Sequence, residues 1–558
     1  MPSQPPIRGT YRTDERARAA YAEGAGIYRI VPRAVARPRD ADDVCALVRW
    51  AAAERVPLVP RGAGSAMGGG NVGDGVVVDL TTLAPRMLVV DAAARRARAA
   101  APITLRELNA AASQHGLRLP PDPSSGRWAT LAGMLSTNAA GARSVRYGSV
   151  RRWVEGATMI TADGEPVELT RKSGDGGRRD AFPPVSAINR FERDAAPAIH
   201  AAADLVRERF PKTRKNSSGY ALDAWLASGE LIDLVIGAEG TLGIVVESRW
   251  RLDPIPRWQA GLRVSLASAA ALGDAVPALL ACDPSALELL DRSFLELVLP
   301  TLPAELRAGI EDAEAVLLVE LERDQRAALR LAIEEATAAV RPWALAVETA
   351  LGGEAAERLW ALRHAASPIL AALPDARRSL QVIEDGCVPI DRLGAYVAAV
   401  RRLAQARGIP AVLFGHAGDG HVHVNLLPEI ARAGWERDVA ALLDEVTAVV
   451  ADLGGTPSGE HGDGRLRAAL LERIYGADVV ALFGRVKDAF DPLGILNPGV
   501  IVPEPSGAAA GCATPIARLK TGADATPLPS DIAAALRAIE KGGGYAQDRL
   551  AIADGRSG

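Results

Sequence analysis

The chain has 558 residues, a net charge of −4, 48% hydrophobic and 24% charged residues. That length exceeds one ordinary core and implies two or three domains, while the near-neutral charge argues against nucleic acid as a partner. Cys45, Cys282, Cys387 and Cys512 are scattered with no CxxC, which excludes a zinc knuckle or iron–sulfur cluster and fits a reducing compartment.

In chain order, the polar "MPSQPPIRGTYRTDERAR" has no apolar signal region, and no apolar run approaches the ~20 residues of a membrane span. A cytoplasmic protein without a transmembrane segment is expected, at most peripheral to the inner membrane. Residues 41–54 read as an amphipathic helix, followed by a strand, the glycine loop "PRGAGSAMGGG" and the strand "GVVVDL". Strands follow near Arg98 and over 154–161, with a helix at "TLRELNAAASQHG". From about residue 256, "GLRVSLAS" with "AALGDAVPALLA" and "AEAVLLVELER" with "QRAALRLAIEEATAAV" read as strand–helix units of an α+β layer. After Gly408 come a strand, a glycine turn, a strand and a long helix. The tail beyond about residue 505 is rich in Ala, Gly and Pro and reads as loosely attached.

Three stretches expose backbone: 60–70, 120–149 and "IGAEGTLGIV" at 236–245. The first could bring backbone N–H groups to a phosphate. It runs into a strand rather than a helix, so the dinucleotide fingerprint of a Rossmann fold fails. Three such stretches suit a long cofactor with a pyrophosphate, a ribityl chain and a flat ring.

"PRGAGS", "PPDPSS…ATLAGMLSTNAAG…RYG", "GAEGTLGIV" and "FDPLGILNPG" together resemble the FAD-binding oxidoreductases of the vanillyl-alcohol-oxidase (PCMH) type. Over residues 25 to 503 the chain resembles their D-2-hydroxyacid dehydrogenase group, which includes D-lactate dehydrogenase, the glycolate oxidase flavin subunit and D-2-hydroxyglutarate dehydrogenase. The resemblance implies an α+β fold: an FAD-binding PCMH-type domain of two subdomains (1–255), an α+β substrate or cap domain (256–455), a segment returning to the flavin (456–505) and the tail (506–558). It implies that Pro60, Arg61, Gly62, Ala63, Gly64 and Ser65 hold the pyrophosphate. Pro121, Asp122, Ser124, Ser125, Thr130, Gly133, Met134, Thr137, Asn138, Gly141 and Ser144 would line the flavin and ribityl chain. Glu239, Gly240, Gly243 and Ile244 would meet the adenine side, with Asn497 a further cofactor contact. Some relatives attach flavin covalently through a histidine in the first glycine loop; Gly64–Ser65 stand here, so FAD is expected to be non-covalent.

Four of the seven histidines, His416, His421, His423 and His461, fall between 416 and 461. Strand alternation in "HVHVN" puts His421, His423 and Asn425 on one face, and the "GDG" turn lets His416 fold back to it. Two imidazoles and a carboxylate, which Glu460 can supply, suit Zn²⁺ or Mn²⁺. The family patterns "GHxGDGxxHxN" and "EHG" imply a metal triad of His416, His423 and Glu460, with His461 as base and His421 in a supporting or structural role. A 2-hydroxy acid would chelate the ion, which acidifies its hydroxyl for His461. The helix read over 354–370 places Arg363 and Ser367 on one face. A family pattern matches them as substrate-binding residues beside Asn425, with Arg363 on the carboxylate.

Where hydroxyglutarate enzymes carry a lysine for a second carboxylate, Ile383 or Glu384 stands here, favouring D-lactate-like monoacids. The tail also resembles the start of an iron–sulfur domain of larger relatives, but lacks its cysteines. Electrons would pass to a quinone, a cytochrome, an electron-transfer flavoprotein or an iron–sulfur partner subunit, from a monomer or homodimer. The alternatives are a zinc hydrolase with merely structural glycine loops and a flavin subunit of a larger glycolate-oxidase-like complex.

Overall fold

The computed structural model describes residues 3–171, 185–503, 515–545 and 547–556. A first sheet runs in the order Thr10–Arg12, Ala34–Arg37, Val76–Asp79, Leu58–Arg61, its last three strands parallel. Helix Ala41–Glu54 connects two of them; Asp40 caps its first turn by accepting from the Asp43 N–H, and Arg55 ends it in the left-handed region. The chain leaves Leu58–Arg61 through the glycine loop and re-enters at Val76–Asp79 with no helix between, as the Rossmann exclusion required.

A second sheet is antiparallel, in the order Leu88–Asp91, Arg96–Ala100, Ile244–Arg251, Val154–Ile160, Pro166–Thr170. Both sheets share one apolar core with helices Leu131–Thr137 and Ala477–Phe490, so residues 471–502 return to this domain. The return is fixed by backbone bonds from Leu58 N–H to Ile495 O and from Asn497 N–H to Leu58 O.

Residues 258–426 build a seven-stranded antiparallel sheet in the order Ala344–Leu351, Trp258–Leu266, Ala315–Arg323, Ala286–Asp291, Ala411–His416, His421–Leu426, Gly386–Cys387. Helices Leu272–Leu280, Arg326–Val340, Leu393–Ala406 and Trp435–Asp452 cover one face. Val422, Val424 and Leu426 point into that core, each side chain contributing roughly 1.5–3 kcal/mol on burial. A one-residue slip would expose all three and bury the alternate histidines in hydrocarbon, so the register is strongly fixed.

Two expectations fail. The helix read over 354–370 is two helices, Gly353–His364 and Ala366–Ala372, broken at Ala365. Pro368 has no N–H to offer the carbonyl of His364, so the ladder is interrupted there. The described residues of the tail are not loose: Ile532, Leu536, Ile539, Leu550 and Ile552 pack on Ala17, Tyr21, Val35, Val59 and Val77. Helix Ser530–Gly542 repeats apolar residues at helical spacing, enough buried surface to outweigh the tail's glycines.

Candidate active site

The site grows from the hairpin formed by Ala411–His416 and His421–Leu426, in which His416 pairs with His421. Its turn needs Gly420: φ is +70°, and a Cβ there would lie 2.1 Å from the carbonyl oxygen of Val388. Alternation then leaves His421, His423 and Asn425 opposite Val422 and Val424, all buried.

Each ring is aimed by its second nitrogen. Nδ1 of His416 lies 2.6 Å from Glu288 Oε1, and Nδ1 of His423 lies 2.8 Å from the Glu384 carbonyl oxygen. Both therefore present Nε2, and these atoms are 3.3 Å apart. Glu460 Oε1 is 3.1 Å from His416 Nε2 and 3.6 Å from His423 Nε2. Lys215 holds the other oxygen of Glu460 at 2.9 Å. A carboxylate or carbonyl behind each imidazole is how proteins orient metal-binding histidines. These donors fit a divalent ion such as Zn²⁺ or Mn²⁺. His421 also lies within the cluster, but its Nε2 meets Asp385 at 2.8 Å and its Nδ1 faces the Lys215 ammonium at 3.5 Å.

The charges are strongly perturbed. Burial would raise the Glu460 carboxyl, but Lys215 and His416 outweigh it and hold it well below the usual range. Burial and neighbouring imidazoles push His423 far down. Burial would lower His416 as well, yet Glu288 holds it up to about 9. His461 behaves similarly: burial is outweighed by Glu384 and Asp385, and the ring is held up to about 10. Its Nδ1 is 2.6 Å from Glu384 Oε2, its Nε2 is 3.7 Å from Glu460 Oε1, and the ring stacks on His423. Arg467 binds the other oxygen of Glu384 at 2.6 Å. Glu288, Asp385, Lys215 and Arg467 were missed from sequence, and Glu384 was read only as a residue standing in place of a lysine. Nothing in the sequence links them to the histidines, and lone charged residues read as surface.

A cavity of about 440 Å³ connects this cluster to the glycine stretches. Residues 60–65, Ser124, Ser125, Thr130, Gly133, Met134, Thr137, Glu239, Gly240, Gly243 and Ile244 line it, as do Arg363, Asn425, His423, Glu460 and His461. Gly64, at φ +81°, leaves backbone open where a Cβ would meet the Arg61 guanidinium. This long cleft of backbone and hydroxyls, ending on polar side chains, fits FAD.

Pro121, Asp122, Asn138, Gly141, Ser144 and Asn497 lie outside the cavity wall. Four of them make bonds beside it. Asn497 donates to the carbonyls of Gly70 and Glu239, Ser144 bonds Asp419, Asp122 pairs with Arg143, and Asn138 donates to the Asn216 carbonyl. Arg61 stays on the cavity wall, while its guanidinium turns inward to the carbonyls of Glu23 and Asn71. Arg363 Nε donates to Glu288 at 2.8 Å and the guanidinium lies over the Phe414 ring. Asn425 accepts from Ser379 Oγ at 3.0 Å. The side chain of Ser367 lies outside the described residues.

Two family models match this chain: "FAD binding domain" over residues 32–170 and "FAD linked oxidases, C-terminal domain" over 255–501. A D-2-hydroxyglutarate dehydrogenase of Xanthomonas citri pv. viticola is 30% identical, the match covering 84% of this chain and 89% of that protein. The chain belongs to the FAD-linked oxidase family. A D-2-hydroxyglutarate dehydrogenase of Pseudomonas putida is 31% identical over 91% of this chain, but only 52% of that longer protein is covered. The chain thus spans about half the length of that relative. A D-lactate dehydrogenase of Archaeoglobus fulgidus is 29% identical, covering 85% of this chain and 93% of that one. The solved 4-ethylphenol oxidase from Gulosibacter chungangensis shares the fold, with a TM-score of 0.62 at 16% identity, covering 88% of this chain and 94% of that one. In this FAD-linked oxidase the two matched segments meet at one cavity: the first supplies glycine loop and hydroxyls, the second the histidines. Among the described residues no helix is long and apolar enough to cross a membrane.

Proposed function

We propose that this FAD-linked oxidase is a divalent-metal-dependent dehydrogenase of D-2-hydroxy acids, with D-lactate-like monoacids favoured. One observation supports it above others: His423, Glu460 and His461 line the same cavity as the glycine stretches, and His416 Nε2 converges from behind on His423 Nε2 and Glu460 Oε1. When bound, non-covalent FAD would supply the hydride acceptor, and a Zn²⁺ or Mn²⁺ ion would supply the charge that acidifies the substrate hydroxyl and lowers the proton affinity of the neighbouring His461.

His416, His423 and Glu460 would hold the ion, with Glu288, the Glu384 carbonyl and Lys215 keeping their donor atoms aimed. Arg363 would bind the substrate carboxylate: Glu288 fixes its Nε, and among the described residues its terminal nitrogens carry no hydrogen bond. Asn425, braced by Ser379, is placed to orient the hydroxyl end. His461 would accept the hydroxyl proton at Nε2, its Nδ1 steadied by Glu384. Ile383 brings no second cation, and Glu384 is engaged by Arg467 and His461, which favours monoacids. A redox partner would reoxidise the flavin. A hydrolase with merely structural glycine loops is disfavoured, because those loops and the histidines face one space.

The test is anaerobic stopped-flow mixing of the yellow protein with D-lactate and with L-lactate, before and after chelation. Bleaching by the D-acid only, lost on chelation and restored by Zn²⁺ or Mn²⁺, is expected. No bleaching by any D-2-hydroxy acid overturns the reading.

A further inference from the structure

Residues 515–556 lie beyond both family matches, yet they help enclose the cavity. The segment returns beside the N-terminal region through bonds from Arg29 N–H to Arg518 O and from Lys520 N–H to Ile27 O. Arg537, Glu540 and Tyr545 reach the cavity wall. Glu540 is clasped by Arg378, Lys520 and Arg537, and Tyr545 meets Trp128 edge-on. Gly543, at φ +62°, lets the turn press against that indole, where a Cβ would come within 2.7 Å.

The same segment buries Arg549. Only 6% of the residue is exposed, and its Nε and Nη1 are enclosed without a partner. Burial and then the charge of Arg61 pull its guanidinium down to about 10. Arg61 is itself buried and bonds only neutral backbone carbonyls. Among the described residues no carboxylate pairs with either guanidinium. Asp79 and Glu23 act on Arg61 only from a distance, since Asp79 bonds Tyr21 and Thr81 and Glu23 is paired with Arg29. Two neighbouring buried cations with no directly paired carboxylate are costly unless an anion joins them. Arg61 lies directly under the Gly64 turn, the open backbone that suits a pyrophosphate.

We propose that residues 515–556 are a cofactor-binding element of this chain, in which Arg549, with Arg61, supplies the positive charge that balances the pyrophosphate of FAD. This rests on the assignment of FAD to the cavity. FAD binding and docking of the tail are then coupled, because the same anion relieves the buried charges and favours the docked tail.

The test compares FAD with riboflavin, which lacks both phosphates, on full-length protein stripped of flavin. Quenching of flavin fluorescence gives both affinities for the wild type and Arg549→Met. FAD should bind the variant at least about tenfold more weakly, the scale of one lost charge-assisted contact, with riboflavin affinity unchanged within about twofold. The melting temperature of the flavin-free variant should not fall, because an unpaired buried cation has been removed. In the wild type, FAD but not riboflavin should slow tryptic cleavage within 515–556. Equal losses of FAD and riboflavin affinity, no loss of either, or cleavage indifferent to FAD would each overturn the proposal. Wild-type protein that binds riboflavin but gains nothing from FAD overturns the proposal alone. Wild-type protein that binds neither overturns the FAD assignment with it.

Discussion

Around residues 60–70 the cavity wall is mostly backbone, whereas around Glu460 it is imidazole, carboxylate and ammonium. The first region works by what it leaves out: a Cβ at Gly64 would already strike Arg61. The second works by compensation, each charged group held in place by another, as Glu460 is by Lys215 and His461 by Glu384. A backbone cradle should therefore fail when atoms are added, and a charge cluster when one partner is removed. Four substitutions sharpen that contrast.

Glu460→Gln should have the largest effect. It removes the charge that Lys215 and both histidines share, and turnover with a D-2-hydroxy acid should fall by more than about 10³-fold with loss of bound metal. Flavin absorbance should persist, and elemental analysis on the same sample checks both halves. His461→Ala should lower flavin reduction by ~10²–10⁴-fold, with flavin and metal content retained, as read by stopped-flow bleaching. Retention of fast bleaching would remove His461 from the role of base. Gly64→Glu tests the other end: added atoms and a negative charge should weaken FAD by more than about tenfold and leave a colourless protein that still binds metal. Loss of both cofactors together would mean that the ends are not separable.

The smallest effect concerns Glu239, where the two regions touch. Its carboxylate accepts from Gly464 N–H and is pushed up to about 8, by burial and then by Asp463. A carboxyl that keeps its proton when folded but loses it when unfolded stabilises least at high pH. Its contribution is neutral below about 4.5, erodes as pH rises, and is most adverse above about 8. Glu239→Gln should therefore raise the melting temperature of the flavin-free protein at pH 8 by a few degrees, with little change at pH 4.5. A shift of equal size at both pH values would refute the ionisation account.

Backbone-built features were the more legible in sequence. Glycine has few reasons to cluster, and the period of two in "HVHVN" assigned His421, His423 and Asn425 to one face correctly because Val422 and Val424 had to be buried. The compensating charges were not legible. Glu288 reaches His416 across 128 positions and Lys215 reaches Glu460 across 245, distances over which residue type alone says nothing about pairing. The direction of the Arg61 guanidinium was not legible for a related reason: it is set by neighbours distant in sequence, such as the carbonyl of Glu23. The tail misled through composition, since its alanine and glycine content hid the spaced Ile532, Leu536 and Ile539.

Helix Glu15–Ala20 packs against helix Arg549–Ala553, and Arg16 donates to the carbonyl of Ala553 at 2.6 Å. Chain emerging from a ribosome at about 5–20 residues per second folds domain by domain from its N-terminal side. Here an earlier-made helix must wait for one made much later, a contact closed across 537 positions. During translation the earlier sheets and hairpin can form while the apolar surface of Ala17, Ala20 and Tyr21 remains uncovered. The nascent protein would carry an adhesive patch until helix Arg549–Ala553 arrives, and chaperone engagement should concentrate there until then.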